Sequence, residues 1–128
     1  MIKSVLIIVL ISISVVANAY DEERSASNLA SDLSECVAYY TLIAMQMEKQ
    51  NTDATKLIKS SEIAYEMAKS ISTEETVKAR VQLYANDMLE KINHNWSNGA
   101  ILINKYGEHC KKIITAPDKR LQYWLDKK

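Results

Sequence analysis

Residues that form turns are scarce in this chain. The 128 residues include two glycines and one proline, so the sequence offers few points at which the backbone can reverse direction. Alternating runs of valine, isoleucine and threonine between glycine-rich turns, which indicate β-strands, do not occur from residue 20 onward. A chain with few turns and no strand pattern is predicted to fold into long helices. We therefore expect an all-α protein.

Apolar residues recur at helical spacing in four segments. In the first, Leu29, Leu33, Cys36 and Tyr40 follow one another by four, three and four residues, which places them on one face of an α-helix. Similar stripes predict helices over residues 29–49, 53–71, 73–94 and 98–115, the last with Ile103, Tyr106, Cys110 and Ile113 on one face. Pro117 follows the fourth helix and is predicted to start a short C-terminal helical turn.

Four helices of similar length with short connections are typical of an antiparallel up-down-up-down four-helix bundle. In that topology the first and fourth helices are antiparallel neighbours. Cys36 lies near the start of the first helix and Cys110 near the end of the fourth, so the two cysteines reach the same level of the bundle. Both also lie on the apolar stripes. The sequence therefore predicts one disulfide that ties helix 1 to helix 4.

Residues 1–19 have the pattern of an export signal. Lys3 supplies a positive charge, an apolar run of twelve residues follows, and Ala17 and Ala19 occupy the −3 and −1 positions of a signal-peptidase site. The apolar run is shorter than the roughly 20 residues of a transmembrane helix. We therefore expect a signal peptide that is cleaved after residue 19, and no membrane anchor afterwards.

Three segments are therefore predicted: the signal peptide, a flexible polar N-terminus over residues 20–28, and a single helical domain over residues 29–128. Export by this signal would place the protein in the periplasm or outside the cell. An oxidising location of that kind is where structural disulfides persist.

Charge and motif content argue against several classes of function. Lysine and arginine together number 16, as do aspartate and glutamate, so the chain lacks the basic excess of a nucleic-acid-binding protein. Glycine-rich phosphate loops, nucleophile elbows and zinc-protease motifs do not occur in the sequence. Neither His94 nor His109 follows a glutamate by three residues, as the ligands of di-iron bundles do. We predict no enzymatic activity, no catalytic residues, no metal site and no cofactor.

The seven tyrosines are notable because the chain has no phenylalanine. Tyr40, Tyr65, Tyr84 and Tyr106 fall on or beside the inward stripes of the four predicted helices. Two interpretations fit: the rings are buried with their hydroxyls bonded to partners, or the hydroxyls line a pocket for a small ligand. Tyr39 lies off the stripe and is expected to be exposed.

Three further aromatic residues lie outside the main stripes. Trp96 is in the third connection, and Tyr123 and Trp124 are near the C-terminus. They either close the ends of the core or anchor a protein interface, where tyrosine and tryptophan are enriched. A wide apolar stripe on the second helix also allows a homodimer.

The function that these features favour is a non-enzymatic protein-binding module of the cell envelope. An export signal, helices and one disulfide resemble the pattern of small exported bacterial or phage-encoded helical proteins. That class includes acid-stress chaperones, toxin-immunity proteins and inhibitors of envelope enzymes. We therefore expect an inhibitor, immunity or stress-protection function, with another envelope or extracellular protein as the partner. The alternative is a bundle that binds a small ligand or a metal in a tyrosine-lined interior.

Overall fold

Five α-helices form the structure, which is a computed structural model of the chain. The structure describes the backbone of residues 2–127 and the side chains of residues 21–127. The helices are α1 (Ile2–Lys49), α2 (Thr55–Ile71), α3 (Glu74–Lys91), α4 (Ala100–Thr115) and α5 (Pro117–Asp126), with one 3₁₀ turn over Trp96–Asn98. No strand occurs in the described backbone, so the predicted all-α class is confirmed.

The first helix begins well before Leu29, where the apolar stripe predicts its start. Residues 21–28, predicted to be flexible, are helical and continue directly into the rest of α1. Ser25 is buried in this segment, and Nη2 of Arg80 on α3 donates a hydrogen bond to Ser27 Oγ over 3.1 Å. The buried position of this segment is a serine, Ser25, where other helices cover this end of α1. The apolar spacing that predicts the rest of the helix therefore does not extend to residues 21–28. The side chains of the predicted signal peptide lie outside the described residues.

Two other helix limits differ from the prediction. The third helix ends at Lys91 rather than residue 94, because Asn93 and His94 both adopt a left-handed backbone with φ of 53°. The predicted C-terminal turn is a helix of ten residues, α5, which starts with Pro117 at its first position. The starts and ends of α2 and α4 lie within two residues of the predicted limits.

The core surrounds α1, which packs against all four of the other helices. Its contact with α2 is the most extensive, because Ala64 and Ala68 on α2 have no exposed surface and let the two backbones approach closely. From the other helices, the most deeply buried large side chains are Val77, Met88, Ile92, Leu102 and Tyr106. Most of the predicted stripe residues are therefore in the core.

Two predicted stripe residues, Ile71 at the end of α2 and Ile103 on α4, are exposed and not in the core. Ile103 on α4 is 51% exposed, while its neighbour Leu102 is fully buried. The inward face of α4 is therefore Leu102, Tyr106, Cys110 and Ile113, which step by four, four and three residues. The observed face keeps three of the four predicted residues and differs only in having Leu102 in place of Ile103, because a step of three or of four residues before Tyr106 is equally compatible with a helix.

The predicted disulfide is confirmed. Cys36 of α1 and Cys110 of α4 are bonded, with 5.5 Å between their Cα atoms, and both residues are fully buried. Each cysteine lies within the core cluster, so the bond joins two elements that also pack together. Among the helices that the structure describes, none has both the length and the apolar character that crossing a membrane requires.

Candidate functional site

The helix α5 is attached to α1 through one carboxylate. Trp124 donates from Nε1 to Oδ2 of Asp32 over 2.7 Å, and Arg120 donates from Nε to the same oxygen, also over 2.7 Å. Arg120 and Trp124 are four residues apart, so they lie on the same face of α5. We call Asp32, Arg120 and Trp124 the Asp32 clamp. Because the Asp32 and Arg120 side chains are mostly buried, this ion pair is less screened than an exposed one.

The start of α5 is determined locally. Ala116 leaves the helical conformation with φ of −141° and ψ of 66°, which ends α4 and turns the chain. Pro117 then occupies the first position of α5, where its missing N–H costs no hydrogen bond. Leu121 and Trp124 pack against the core, so the turn directs the apolar side of α5 onto it.

Tyr123 is on the outer side of α5, with 46% of its surface exposed. The guanidinium carbon of Arg120 lies 4.2 Å from the centre of its ring, and Nζ of Lys127 lies 5.5 Å from it. The Trp124 ring makes an edge contact, with 5.0 Å between the ring centres. Tyr123 is thus an exposed aromatic ring whose position is fixed by its neighbours.

An open groove of about 490 Å³ runs between α4 and α5. We call it the α4–α5 groove, and its lining consists of His109, Lys112, Ile113, Thr115, Ala116, Lys119, Arg120 and Tyr123. Three of these side chains are cations and none is a carboxylate. The volume is within the range of roughly 300–1,000 Å³ that is usual for ligand-binding sites.

His109 is the one histidine in the groove. Partial burial lowers the pKa of its imidazole, and the positive charges of Arg120 and Lys112 lower it further, while Asp32 acts in the opposite direction. A pKa below the ordinary value of 6.5 favours the neutral imidazole at pH 7. The lining around His109 contains cations and no carboxylate.

Trp96, the third predicted interface residue, is not near α5. It lies in the 3₁₀ turn before α4, whereas α5 follows the far end of α4, a helix of 16 residues and thus about 24 Å long. The indole is partly buried and packs against the core. The structure therefore brings Tyr123 and Trp124 together and leaves Trp96 at the opposite end of α4.

The hydroxyls of the four predicted pocket tyrosines do not share a partner. Tyr65 donates to Glu74 Oε1 over 3.2 Å, Tyr84 bonds to the hydroxyl of Ser31, and Tyr106 accepts from Lys91 Nζ over 2.9 Å. Tyr40 is buried, and burial raises the pKa of its hydroxyl. Glu74 and Lys91 are at the two ends of α3 and Ser31 is on α1, so these partners do not meet at one point.

Tyr39 is buried, contrary to the expectation that it is exposed. Its ring centre lies 5.2 Å from that of Tyr40 and 5.8 Å from that of Tyr106, so it links the two buried tyrosines. Gly107 on α4 lies beside the Tyr39 hydroxyl, since a Cβ there would be 3.4 Å from the hydroxyl oxygen, in van der Waals contact. A glycine inside a predicted helix was the available signal for such a close contact.

A cluster of charged residues lies where α1, α3 and α4 meet. Lys91 donates to Asp87 Oδ2 over 2.7 Å, and its bonds to Asp87 and Tyr106 raise its pKa well above the ordinary value. The Lys91 ammonium lowers the pKa of the neighbouring Lys105. Burial raises the pKa of Glu35, and Asp32 adds to this effect, although Lys91 and Lys105 oppose it.

Glu35→Gln is expected to raise the free energy of unfolding at neutral pH. Because the pKa of Glu35 is higher in the folded protein than its ordinary value of 4.5, the folded state binds the proton more tightly. Stability therefore falls as the pH rises from about 4.5 through the pKa of the folded state. Urea titrations of both proteins measure the difference. We expect the variant's advantage at about pH 7 to vanish by about pH 4, and a gain that is the same at both values would contradict this account.

Asp32→Ala is expected to release α5 from α1. The change removes the acceptor of Trp124 Nε1 and the partner of Arg120, at a cost of about 1–3 kcal/mol for the unsatisfied groups. Hydrogen exchange of α5 amides should become faster. The exchange rates of α2 amides should change only as far as the free energy of global unfolding changes. Asp32→Asn is the matched control, since it keeps an acceptor oxygen and should have the smaller effect. Unchanged exchange in α5 of Asp32→Ala would rule out the clamp.

Among the residues whose side chains are described, no group of three or more histidines, cysteines, aspartates or glutamates is arranged to hold a metal ion. Within the same part of the chain, both cysteines are in the disulfide.

Comparison with protein-family models, with curated proteins and with solved structures gave no match.

Proposed function

We propose that the protein is an exported, non-enzymatic protein-binding module that contacts its partner through α5. The observation that carries the proposal is Tyr123, an exposed ring between the cations of Arg120 and Lys127. Tyrosine and arginine are among the residues that contribute most to the affinity of protein interfaces. An inhibitor, an immunity protein or a stress-protection protein would each act by this kind of binding.

The rigidity of α5 supports the proposal. Binding normally costs free energy because side chains at an interface must be immobilised. Here the Asp32 clamp fixes Trp124 and Arg120 before any partner arrives, and these two residues in turn hold Tyr123. An interface that is ordered in advance loses less entropy on association.

Export is the second part of the proposal. Its support is the pattern of residues 1–19 together with the buried disulfide between Cys36 and Cys110. A bond of this kind persists in the periplasm or outside the cell, where thiols are not kept reduced.

The up-down-up-down order of the four longer helices is also proposed. The extensive contact of α1 with α2, the covalent link between α1 and α4, and the short connections before α2 and α3 support it, whereas the contact of α1 with α3, which is more extensive than that with α4, does not. Pairing of two copies through α2 is a further proposal, supported by Ile58 and Ile63, each 39% exposed. Sedimentation of the purified protein measures this pairing directly.

Affinity capture from an envelope fraction of the producing cells tests the proposed binding. The oxidised protein should retain one stoichiometric partner, and Tyr123→Ala should lose it. Leu83→Ala is the control, because Leu83 is an apolar residue of α3 with 68% exposure. Retention of the partner by Tyr123→Ala would refute binding through α5.

Native mass spectrometry tests the alternative, since a ligand or metal among the tyrosines would add mass to the purified chain.

A further inference from the structure

The α4–α5 groove has a local excess of positive charge in a chain whose total charge is balanced. Lys112 on α4 and Lys119 and Arg120 on α5 line it, and no carboxylate does. Neither lysine forms an ion pair with any of the described side chains. Arg120 is paired with Asp32 through Nε, and its guanidinium has further N–H donors.

Apolar groups line the groove together with these cations. Ile113 and Ala116 are among its lining residues, and the Tyr123 ring is at its α5 side. The groove therefore combines cations from both helices with apolar groups. This arrangement suits a ligand that carries several negative charges separated by apolar groups, whereas a single phosphate needs donors that converge on one point.

We propose that the α4–α5 groove binds an acidic segment of the partner protein, with carboxylates against Lys112, Lys119 and Arg120 and an apolar side chain against Tyr123. This inference rests on the proposed function, since it names the chemistry of the surface that α5 is proposed to contact. Charge complementarity is the reason for choosing this occupant.

The protonation of His109 provides an independent measure of whether a ligand occupies the α4–α5 groove. The charged groups that act on it are Arg120, Lys112 and Asp32, and the two cations outweigh the carboxylate. Carboxylates bound in the groove would offset the cations, so they would stabilise the protonated imidazole. By linkage, binding of the acidic segment becomes tighter as the pH falls through the range in which His109 takes up its proton. His94 is exposed and lies outside the groove, so it serves as the internal control.

Nuclear magnetic resonance of the oxidised protein tests the proposal with a defined probe. The probe is a peptide of alternating glutamate and leucine with blocked ends, and its glutamine counterpart is the control. The glutamate peptide should shift resonances of the groove residues and raise the pKa of His109, while the ring resonances of His94 stay unchanged. The double variant Lys112→Glu/Lys119→Glu should bind at least about tenfold more weakly, because two attractions become repulsions. Lys56→Glu/Lys59→Glu, on the exposed face of α2, should bind normally.

Three results would overturn the inference: equal shifts with both peptides, no shift at millimolar glutamate peptide, or shifts with anionic phospholipid vesicles in place of the peptide. Its failure is distinguishable from failure of the proposed function. If a captured partner depends on Tyr123 but binds Lys112→Glu/Lys119→Glu as tightly as the unchanged protein, only the groove inference fails. If the peptide binds while no envelope protein is captured, the proposed function fails.

Discussion

Replacing both cysteines, Cys36→Ala with Cys110→Ala, is expected to lower the free energy of unfolding by about 4 kcal/mol. The bond closes a loop with a sequence separation of 74 residues, so it removes much of the conformational freedom of the unfolded chain. Domains of this size are typically stable by about 5–15 kcal/mol, and the loss would be a large share of that. This is one of the two largest effects that the structure predicts.

Urea denaturation at neutral pH measures the loss. The unchanged protein with added reductant should become about as unstable as the double variant, and the reductant should have no effect on the variant itself. A loss below about 1 kcal/mol would mean that the bond constrains little of the unfolded chain. Since the same reductant acts on both proteins, the comparison separates the covalent constraint from other effects of the reagent.

Leu33→Ala is expected to cost about 2–5 kcal/mol, because it leaves a cavity in a core that cannot fully collapse around it. Leu33 is 1% exposed and belongs to the same buried cluster as the disulfide. Leu83→Ala on α3 is the matched control, because it makes the same chemical change within a helix at a residue that is 68% exposed.

The control should change the free energy of unfolding by no more than about 0.5 kcal/mol, as for most surface substitutions. Thermal or urea unfolding of the two variants beside the unchanged protein provides the comparison. Equal losses from the two substitutions would show that α1 is not the centre of the core.

The helices and the disulfide were predictable because they depend on the spacing of apolar residues and cysteines along the sequence. Leu29, Leu33, Cys36 and Tyr40 are all buried, because a stripe with steps of four and three residues can be buried only by a helix in one orientation. The disulfide followed from two cysteines on such stripes at matching levels. These features depend on residues that are close in sequence, or on the simple geometry of a helix.

The Asp32 clamp could not be predicted in this way. Asp32 is separated from Arg120 by 88 residues and from Trp124 by 92. Neither position carries a local pattern that identifies the other, because their contact depends on the turn at Ala116 and on the angle at which α5 meets α1. The sequence identified Tyr123 and Trp124 as candidates by residue type, but the groove beside them depends on that angle.

Residues 21–28 were missed for a different reason. Their buried position is Ser25, and serine gives no apolar signal although it is small enough to lie at a close helix contact. Tyr39 is buried although it lies off the apolar stripe, because its ring packs against Tyr40 and against Tyr106 of another helix. Both errors concern packing between helices, which the periodicity of one helix does not report.

Photo-cross-linking in the producing cells tests the central claim most directly. A photoreactive phenylalanine derivative replaces Tyr123 in one protein and Leu83 in another, and the adducts are compared after illumination. We expect one discrete protein adduct from position 123 and none from position 83. An adduct from position 83 alone, or no protein adduct from position 123, would contradict the claim that α5 is the partner-binding surface.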